Sequence, residues 1–484
     1  MEVETTSARA EESGADTIAV GVFEDGAVDS AGMRAITELV ESGEARGGWR
    51  KLATTHADGR RWIVVGLGRS DEFDAERARG AAAAALGRAR EVGARALCWV
   101  VPPDAGREEV AGLVEGTLLA AYRFTRYRAA DEDDDDSRLG LLVVSGPDEA
   151  TAGVDDAALL ARAQNAARDL QNTPANDLTP ARLAEYAREL AGEIEGLSAE
   201  VEGREGIEGR RMGAFAAVAQ GSYQDPALIT LRWSGPGAGG PVLGLVGKAV
   251  TFDTGGISIK PAQKMQEMKF DMSGGAAVIE AIGAIARLGL PVRAVGVVGA
   301  TENMPSGRSM RPGDIVRAME GTSIEVNNTD AEGRLILADC LAYAVQQGAE
   351  RIVDLATLTG GIVLTFGSVH AGLMANDDAW AGVVEDAGRA TGELVWRLPL
   401  EGRYADMIKG RYADVVNVTE ARKAVSITAA EFLHRFVGDV PWAHVDIAGT
   451  AYDAELPYAA KGGSGFGVRL LVDVARRAAG LAGG

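Results

Sequence analysis

Eight residues, Asn-Thr-Asp-Ala-Glu-Gly-Arg-Leu at 328–335, constrain this chain more than any other stretch. They follow a short run rich in β-branched residues (322–326) and precede a helix-like run (335–349). The pattern predicts a strand-to-helix turn, the usual place for a ligand site in an open α/β sheet. Asp330, Glu332 and Arg334 stand two apart, and in extended chain they point the same way. Two carboxylates aimed at one point repel unless a cation lies between them. Helix capping is the competing explanation, because acidic residues in a first turn favour the helix dipole.

A second acidic stretch decides between the two. Lys248 and Asp253 follow the apolar run 242–246, a glycine-containing loop then carries Lys260, and Asp271 precedes a helix-like run at 274–288. The two segments together bring four carboxylates, two lysines and an arginine to the ends of predicted strands. Four carboxylates balance two divalent cations, and hard or borderline cations take carboxylate oxygens. A lysine amine can join such a site in its neutral form, since metal binding depresses its pKa.

These stretches resemble the leucyl aminopeptidase (cytosol aminopeptidase) family of dinuclear metallopeptidases. The signature N-T-D-A-E-G-R-L is intact at 328–335, V-G-K-A-V-T-F-D-T-G-G-I-S-I-K-P stands at 246–261 and M-K-F-D-M at 268–272. Further agreement lies at E-N-M-P-S-G (302–307), R-P-G-D (311–314), D-L-A-T-L-T-G (354–360) and W-A-H-V-D-I-A-G (442–449). The resemblance is strong over 165–484 and loose over the first 150 residues. It implies one metal held by Asp253, Asp330 and Glu332, and a second held by Lys248, Asp253, Asp271 and Glu332, with manganese or zinc as the ions. It also implies Lys260 as the group stabilising oxyanion charge and Arg334 as the holder of a bicarbonate ion that acts as general base. A planar guanidinium suits a planar oxyanion. Met268, Thr357, Gly360 and Ala448 are implied as the pocket for the substrate's first side chain. The expected activity is release of N-terminal residues, leucine preferred, from short peptides with a free N-terminus. A dipeptidase or Cys-Gly hydrolase on the same scaffold is the alternative. The family's homohexamer is expected too; the run 362–366 is apolar, with no charge between 355 and 366. Two positions depart from the family pattern near the pocket rim. Gly360-Gly361 replaces Gly-Ala, and Arg-Lys-Ala-Val-Ser at 422–426 stands where a glycine-rich segment is usual.

The rest of the sequence bounds this reading. A chain of 484 residues exceeds one typical domain. Hydrophobic residues make up 46% and aromatics only 5%, which suits an α/β protein with closely packed helices. The expected fold is α/β: a small N-terminal α/β domain, macro-like by resemblance, and a larger catalytic α/β/α domain with a mixed, mostly parallel sheet. The expected divisions are a disordered 1–16, a first domain at 17–150, a linker helix at 151–176 and the catalytic domain at 177–484. An acidic run at 131–136 reads as a solvated loop. A net charge of −21 disfavours nucleic acid and anionic membranes, so a scaffold or DNA-binding role is not expected. The acidic N-terminus has no apolar core for a signal peptide, no stretch is long enough to span a membrane, and two cysteines do not make a disulfide framework. A cytoplasmic protein is expected.

Competing motifs fail on their own terms. Gly247-Lys248 lacks the first glycine and the Ser or Thr of a phosphate loop, and Gly66-Leu67-Gly68 lacks the third glycine of a dinucleotide site. The histidines, His56, His370, His434 and His444, form no H-E-x-x-H array, and no G-x-S-x-G elbow occurs.

Overall fold

The computed structural model describes residues 1–26, 34–129, 139–421 and 423–481. The acidic run 131–136 and Arg422 lie outside them. The chain divides into two compact units, Met1–Asn165 with Glu455–Ala460, and Ala166–Ala454 with Lys461–Gly484. The division falls inside the helix Val154–Asn172, later than the expected end of the first domain near 150.

The first unit is built on a six-stranded sheet with strands in the order Glu2–Thr6, Leu141–Ser145, Ala96–Val100, Thr17–Phe23, Arg60–Gly68 and Leu52–Ala57. All neighbours are parallel except the last pair, a hairpin. The helix Ala75–Glu91 is mostly alanine on its buried side, so the helix Arg107–Ala121 packs closely on it. Between them Arg79 is buried and pairs with Glu115 at 2.6 Å and Glu76 at 3.0 Å, which compensates a charge that would otherwise be costly. The returning segment adds Tyr458, whose hydroxyl donates to Glu76 at 3.0 Å.

The expected disorder of 1–16 is overturned. Glu2–Thr6 pairs parallel with Leu141–Ser145 as an edge strand, and Arg60 donates to the carbonyls of Glu11 and Ala15. Backbone pairing needs no apolar run, and glutamates on an edge strand face water. That is why an acidic, weakly hydrophobic stretch could be ordered without showing it.

The second unit carries an eight-stranded sheet, in the order Val395–Arg397, Ala371–Ala375, Trp442–Asp446, Arg351–Ala356, Leu243–Asp253, Arg293–Asn303, Ala227–Ser234 and Ser198–Glu202. The four central strands are parallel to one another, and antiparallel pairings lie toward both edges. Strands buried on both faces read as continuous apolar runs, which is how 243–247 and 294–300 read. The helices Ser273–Arg287 and Gly333–Gln346 both pack on the central strands. The first is buried along nearly its whole length, in keeping with its Ala, Gly, Val and Ile content. The helix Pro180–Glu193 begins as its sequence implies, with Thr179 accepting from the Arg182 amide at 3.3 Å and proline in the first turn.

One expectation about topology is corrected. The strand before 328–335, Ser323–Glu325, is not in the large sheet. It pairs with Ile315–Arg317 and Val415–Val416 in a separate three-stranded sheet. Three residues, Ser-Ile-Glu, do not specify which sheet they join.

Glu280 lies in the buried helix and accepts a hydrogen bond from the Tyr186 hydroxyl. Burial pushes its carboxyl from 4.5 up to about 7. Below pH 4.5 folded and unfolded chains both hold this proton. Between there and about 7 only the folded chain does, so stability from this group falls as pH rises and is fully lost above about 7. Glu280→Gln keeps an acceptor for Tyr186 and removes the titration. Thermal unfolding at pH 5 and pH 8 is expected to show the parent losing on the order of 1–3 kcal/mol relative to the variant over that interval.

Candidate active site

Strand lengths create the site. Leu243–Asp253 outruns its neighbour Arg351–Ala356, with which its pairing stops at Gly247–Leu355. Lys248 therefore emerges where one wall of the sheet ends, and Asp253 sits at the strand's tip. The crevice outside the carboxyl ends of parallel strands is where α/β sheets hold ligands. Asp271 enters from the 3-10 helix Met265–Met272.

Asp330 and Glu332 are brought in by a turn, not by the alternation of an extended strand. The Asp330 amide donates to the Asn328 side chain at 2.9 Å, and Glu332 has helical backbone angles and begins the next helix through the Leu335 amide. Gly333 is required here. A Cβ on it would lie 2.6 Å from Lys248 Cε and 2.7 Å from Nζ, so glycine leaves the passage through which the lysine reaches the carboxylates.

The charges interlock. Lys248 Nζ lies 2.8 Å from Asp271 Oδ1 and 2.9 Å from Glu332 Oε1. Lys260 Nζ lies 2.8 Å from Asp253 Oδ2 and also contacts Asp330. Burial and the neighbouring Glu332 push Asp253 up to about 6, and burial drives Asp271 well above the usual carboxylate range. Burial also opposes the Glu332 charge, but Lys248 and Lys260 outweigh it and hold that carboxyl low. Burial disfavours the Lys248 ammonium too, yet Asp271 and Glu332 hold its pKa above the ordinary value. Four carboxylates thus face two ammonium groups, which leaves negative charge over in a buried place.

That surplus fits cations. Among the described residues, Asp253, Asp330 and Glu332 each offer an oxygen within 4.8 Å of the others, and Asp271 Oδ2 is buried with no hydrogen-bond partner. Arg334 is nearly buried beside them. One of its Nη atoms donates to the Asn417 carbonyl, while its Nε has no partner, and burial pushes its pKa down to about 10.

Further polar residues, most of them neutral, hold this arrangement, and sequence reasoning did not single them out. Asn303 donates to Asp253 at 2.8 Å and to the Thr329 carbonyl at 3.0 Å. Thr329 accepts from the Ser258 amide and donates to the Gly255 carbonyl, stitching the Lys260 loop to the acidic turn. Asn417 donates to the Asn328 carbonyl and accepts from the Asn327 amide. Buried Asp446 accepts from the amides of Leu358 and Ala448 and from the Thr359 hydroxyl at 2.6 Å. The 357–360 loop hung on it turns the Thr357 carbonyl toward Lys248 Nζ at 2.9 Å and the Thr357 hydroxyl toward Asp271 at 2.7 Å. Asn303, Thr329 and Asp446 sit inside motifs already quoted, which was the available signal.

Lys248, Asp253, Lys260, Asp271, Asp330, Glu332 and Arg334 line one cavity of about 300 Å³, and Met268, Thr357, Gly360 and Ala448 line it with them. Every residue the sequence singled out is therefore at this place. Glu267, Phe270, Val363 and Tyr452 line it as well and were not foreseen. No histidine lines it. His444 is buried with Nδ1 2.6 Å from Asp354, which also accepts from Trp442, and His434 stacks on Trp442. The two departures near the rim explain each other, because a Cβ on Gly361 would lie 2.2 Å from Val425 Cγ2.

Comparison with known proteins agrees with this site. Residues 165–472 match the catalytic domain of the cytosol aminopeptidase family, and residues 19–131 match that family's N-terminal domain. The chain belongs to the cytosol aminopeptidase family. A probable cytosol aminopeptidase of Roseiflexus castenholzii is 43% identical over 98% of this chain and 99% of its own length. Another, from Solibacter usitatus, is 44% identical over 95% of this chain and 96% of its own. Among solved structures, the bottromycin maturation enzyme BotP in complex with Mn superposes with a TM-score of 0.86 at 35% identity, covering 96% of this chain and 99% of that one. Like other cytosol aminopeptidases, the chain is a metal-dependent hydrolase of peptides. No described helix is long and apolar enough to cross a membrane.

Asp446→Ala is expected to free the 357–360 loop and to lower turnover of leucine p-nitroanilide by about 10- to 100-fold, as is usual when a supporting hydrogen-bond shell is removed. Asp446→Asn, which keeps an acceptor for the amides, is expected to recover most of it. Equal turnover in parent and alanine variant would show that the loop is held without Asp446.

Proposed function

We propose that this chain releases N-terminal residues, leucine and similar apolar ones preferentially, from short peptides at a pair of divalent cations. The observation that carries the reading is the convergence of four carboxylates and two lysines on one wall of a cavity that Met268, Thr357, Gly360 and Ala448 also line. Asp253, Asp330 and Glu332 would hold one cation, and Lys248, Asp253, Asp271 and Glu332 the other. Lys248 would ligate as the neutral amine. The Mn in the BotP complex supports manganese here, and a carboxylate-rich set also accepts zinc.

When bound, two divalent cations supply Lewis acidity and bring the pKa of a water toward about 7. The chain's own groups do the rest. Lys260, anchored to Asp253 and Asp330, presents positive charge to the scissile carbonyl oxygen as it becomes an oxyanion. Arg334, with an unfilled Nε and little water around it, is suited to a planar anion, and bicarbonate there would supply a general base. The acidic wall attracts the free α-amine of a peptide, which favours unblocked N-termini. Met268, Thr357, Gly360 and Ala448 leave room for a leucine-sized side chain. Two buried free cysteines, Cys98 and Cys340, and the family's name support a cytoplasmic setting.

Asp330→Ala or Glu332→Ala is expected to lose bound metal by elemental analysis, together with nearly all hydrolysis of leucyl amides. Lys260→Ala is expected to keep its metal and lose turnover by about 100- to 1,000-fold, since the charge acts mainly in the transition state. Full activity with two metals in the carboxylate variants would sink the ligand assignment.

Assembly as a homohexamer is part of the same reading. Leu364 is 91% exposed on the short helix Gly360–Phe366, with Val363, Val369 and Trp396 also exposed. Such apolar residues on a strongly acidic surface support burial against other copies. Light scattering at physiological and molar salt is expected to give six copies in both. A stable, fully active monomer in both would refute the assembly.

A further inference from the structure

Away from the acidic cluster, the cavity wall carries one more carboxylate. Glu267 is one residue before Met268 and lines the same cavity. Its Oε2 accepts from the Tyr452 hydroxyl at 3.3 Å, and its Oε1 lies 3.5 Å from Lys264 Nζ. Tyr452 is held in place by stacking on Phe270, with ring centroids 4.8 Å apart and planes 12° from parallel. The tyrosine ring thus fixes where the Glu267 carboxylate stands, and both rings give that part of the wall an apolar surface.

The counter-charge is weak. The Lys264 side chain is 71% exposed while that of Glu267 is 20% exposed, so the ammonium is solvated and the pair is screened. Lys269 lies over the Phe270 ring of the stack, 5.1 Å from its centroid, and donates to the Asn172 carbonyl at 2.8 Å, while Lys248 and Lys260 in the same cavity are engaged by the acidic cluster. Glu267 therefore leaves net negative charge beside the neutral surface of Met268, Gly360 and Ala448.

We propose that Glu267, positioned by Tyr452, determines which charge the pocket accepts on the substrate's first side chain. This rests on the proposed reading that Met268, Thr357, Gly360 and Ala448 receive that side chain. An apolar side chain lies along Phe270 and Met268 without reaching the carboxylate. A lysine or arginine lays its methylenes on the same surface and brings its cation to Glu267, where Tyr452 already donates. An aspartate or glutamate brings like charge to a partly desolvated carboxylate and is turned away.

The test uses the full-length, manganese-loaded chain and three p-nitroanilides, of leucine, lysine and glutamate, with kcat/KM read as ratios to leucine. Glu267→Gln is expected to raise the glutamate-to-leucine ratio and lower the lysine-to-leucine ratio, each by about 10-fold, the size expected when one charge pair in a partly desolvated pocket is lost. Lys264→Ala, at an exposed position that carries little folding risk, is expected to move the lysine-to-leucine ratio upward by about threefold, because it removes the screen from Glu267. Tyr452→Phe keeps the stack and removes the hydrogen bond, and is expected to lower the lysine-to-leucine ratio by about threefold, because Glu267 is then no longer held in place. Ratios within twofold of the parent in both Glu267→Gln and Lys264→Ala, at equal metal content, would overturn the proposal. A parent that does not favour leucine would count against the leucine preference alone, since the ratios still read the effect of Glu267.

Discussion

Carboxylates cannot be buried together without positive charge among them, and that constraint shapes this protein's larger unit. Asp253, Asp271, Asp330 and Glu332 come from three separate stretches of chain, and burial and mutual repulsion both work against them. Two lysines thread between them, Lys248 from the sheet and Lys260 from the loop above it. Two ammonium groups cannot balance four carboxylates, so the arrangement is tuned for more cationic charge than the polypeptide supplies. A binding site for metal is in this sense a charge deficit built into a fold.

Holding such a deficit open requires rigidity that charged groups cannot give themselves. The sheet supplies part of it, by ending one strand early so that Lys248 faces the crevice. The remainder comes from neutral hydrogen-bonding residues, Asn303, Thr329 and Asn417, which fix one acidic segment to another through backbone carbonyls and amides. Asp446 plays a parallel part on the opposite side by gathering the amides of a loop. These contacts are directional and buried or partly buried, and a hydrogen bond specifies geometry best where little water competes with it.

The sequence declared the chemistry more clearly than the architecture. Lys248, Asp253 and the 328–335 motif were legible because residue types at fixed spacing carry their own physical reason. Their geometry was not. Alternation in an extended strand was expected to align Asp330 with Glu332, whereas a side-chain-capped turn does so. The preceding strand joined a small separate sheet, because a strand of three residues, Ser-Ile-Glu, carries no information about its partner. The ordered N-terminal strand was hidden by its glutamates, since backbone pairing leaves no mark in hydropathy. Glu267 and Tyr452 escaped for another reason: they lie far apart in the sequence, and only the fold brings their side chains together.

The contact between position 361 and Val425 carries a consequence for how substitutions there are read. Alanine, the usual family residue at 361, would place its methyl 2.2 Å from Val425 Cγ2, so it needs that valine to turn away or give way to a smaller side chain. The two positions are therefore coupled, and a change at either is felt at the other. The effect of a substitution at 361 has to be read with the residue at 425 named beside it, so this rim is a pair of positions and not two separate ones.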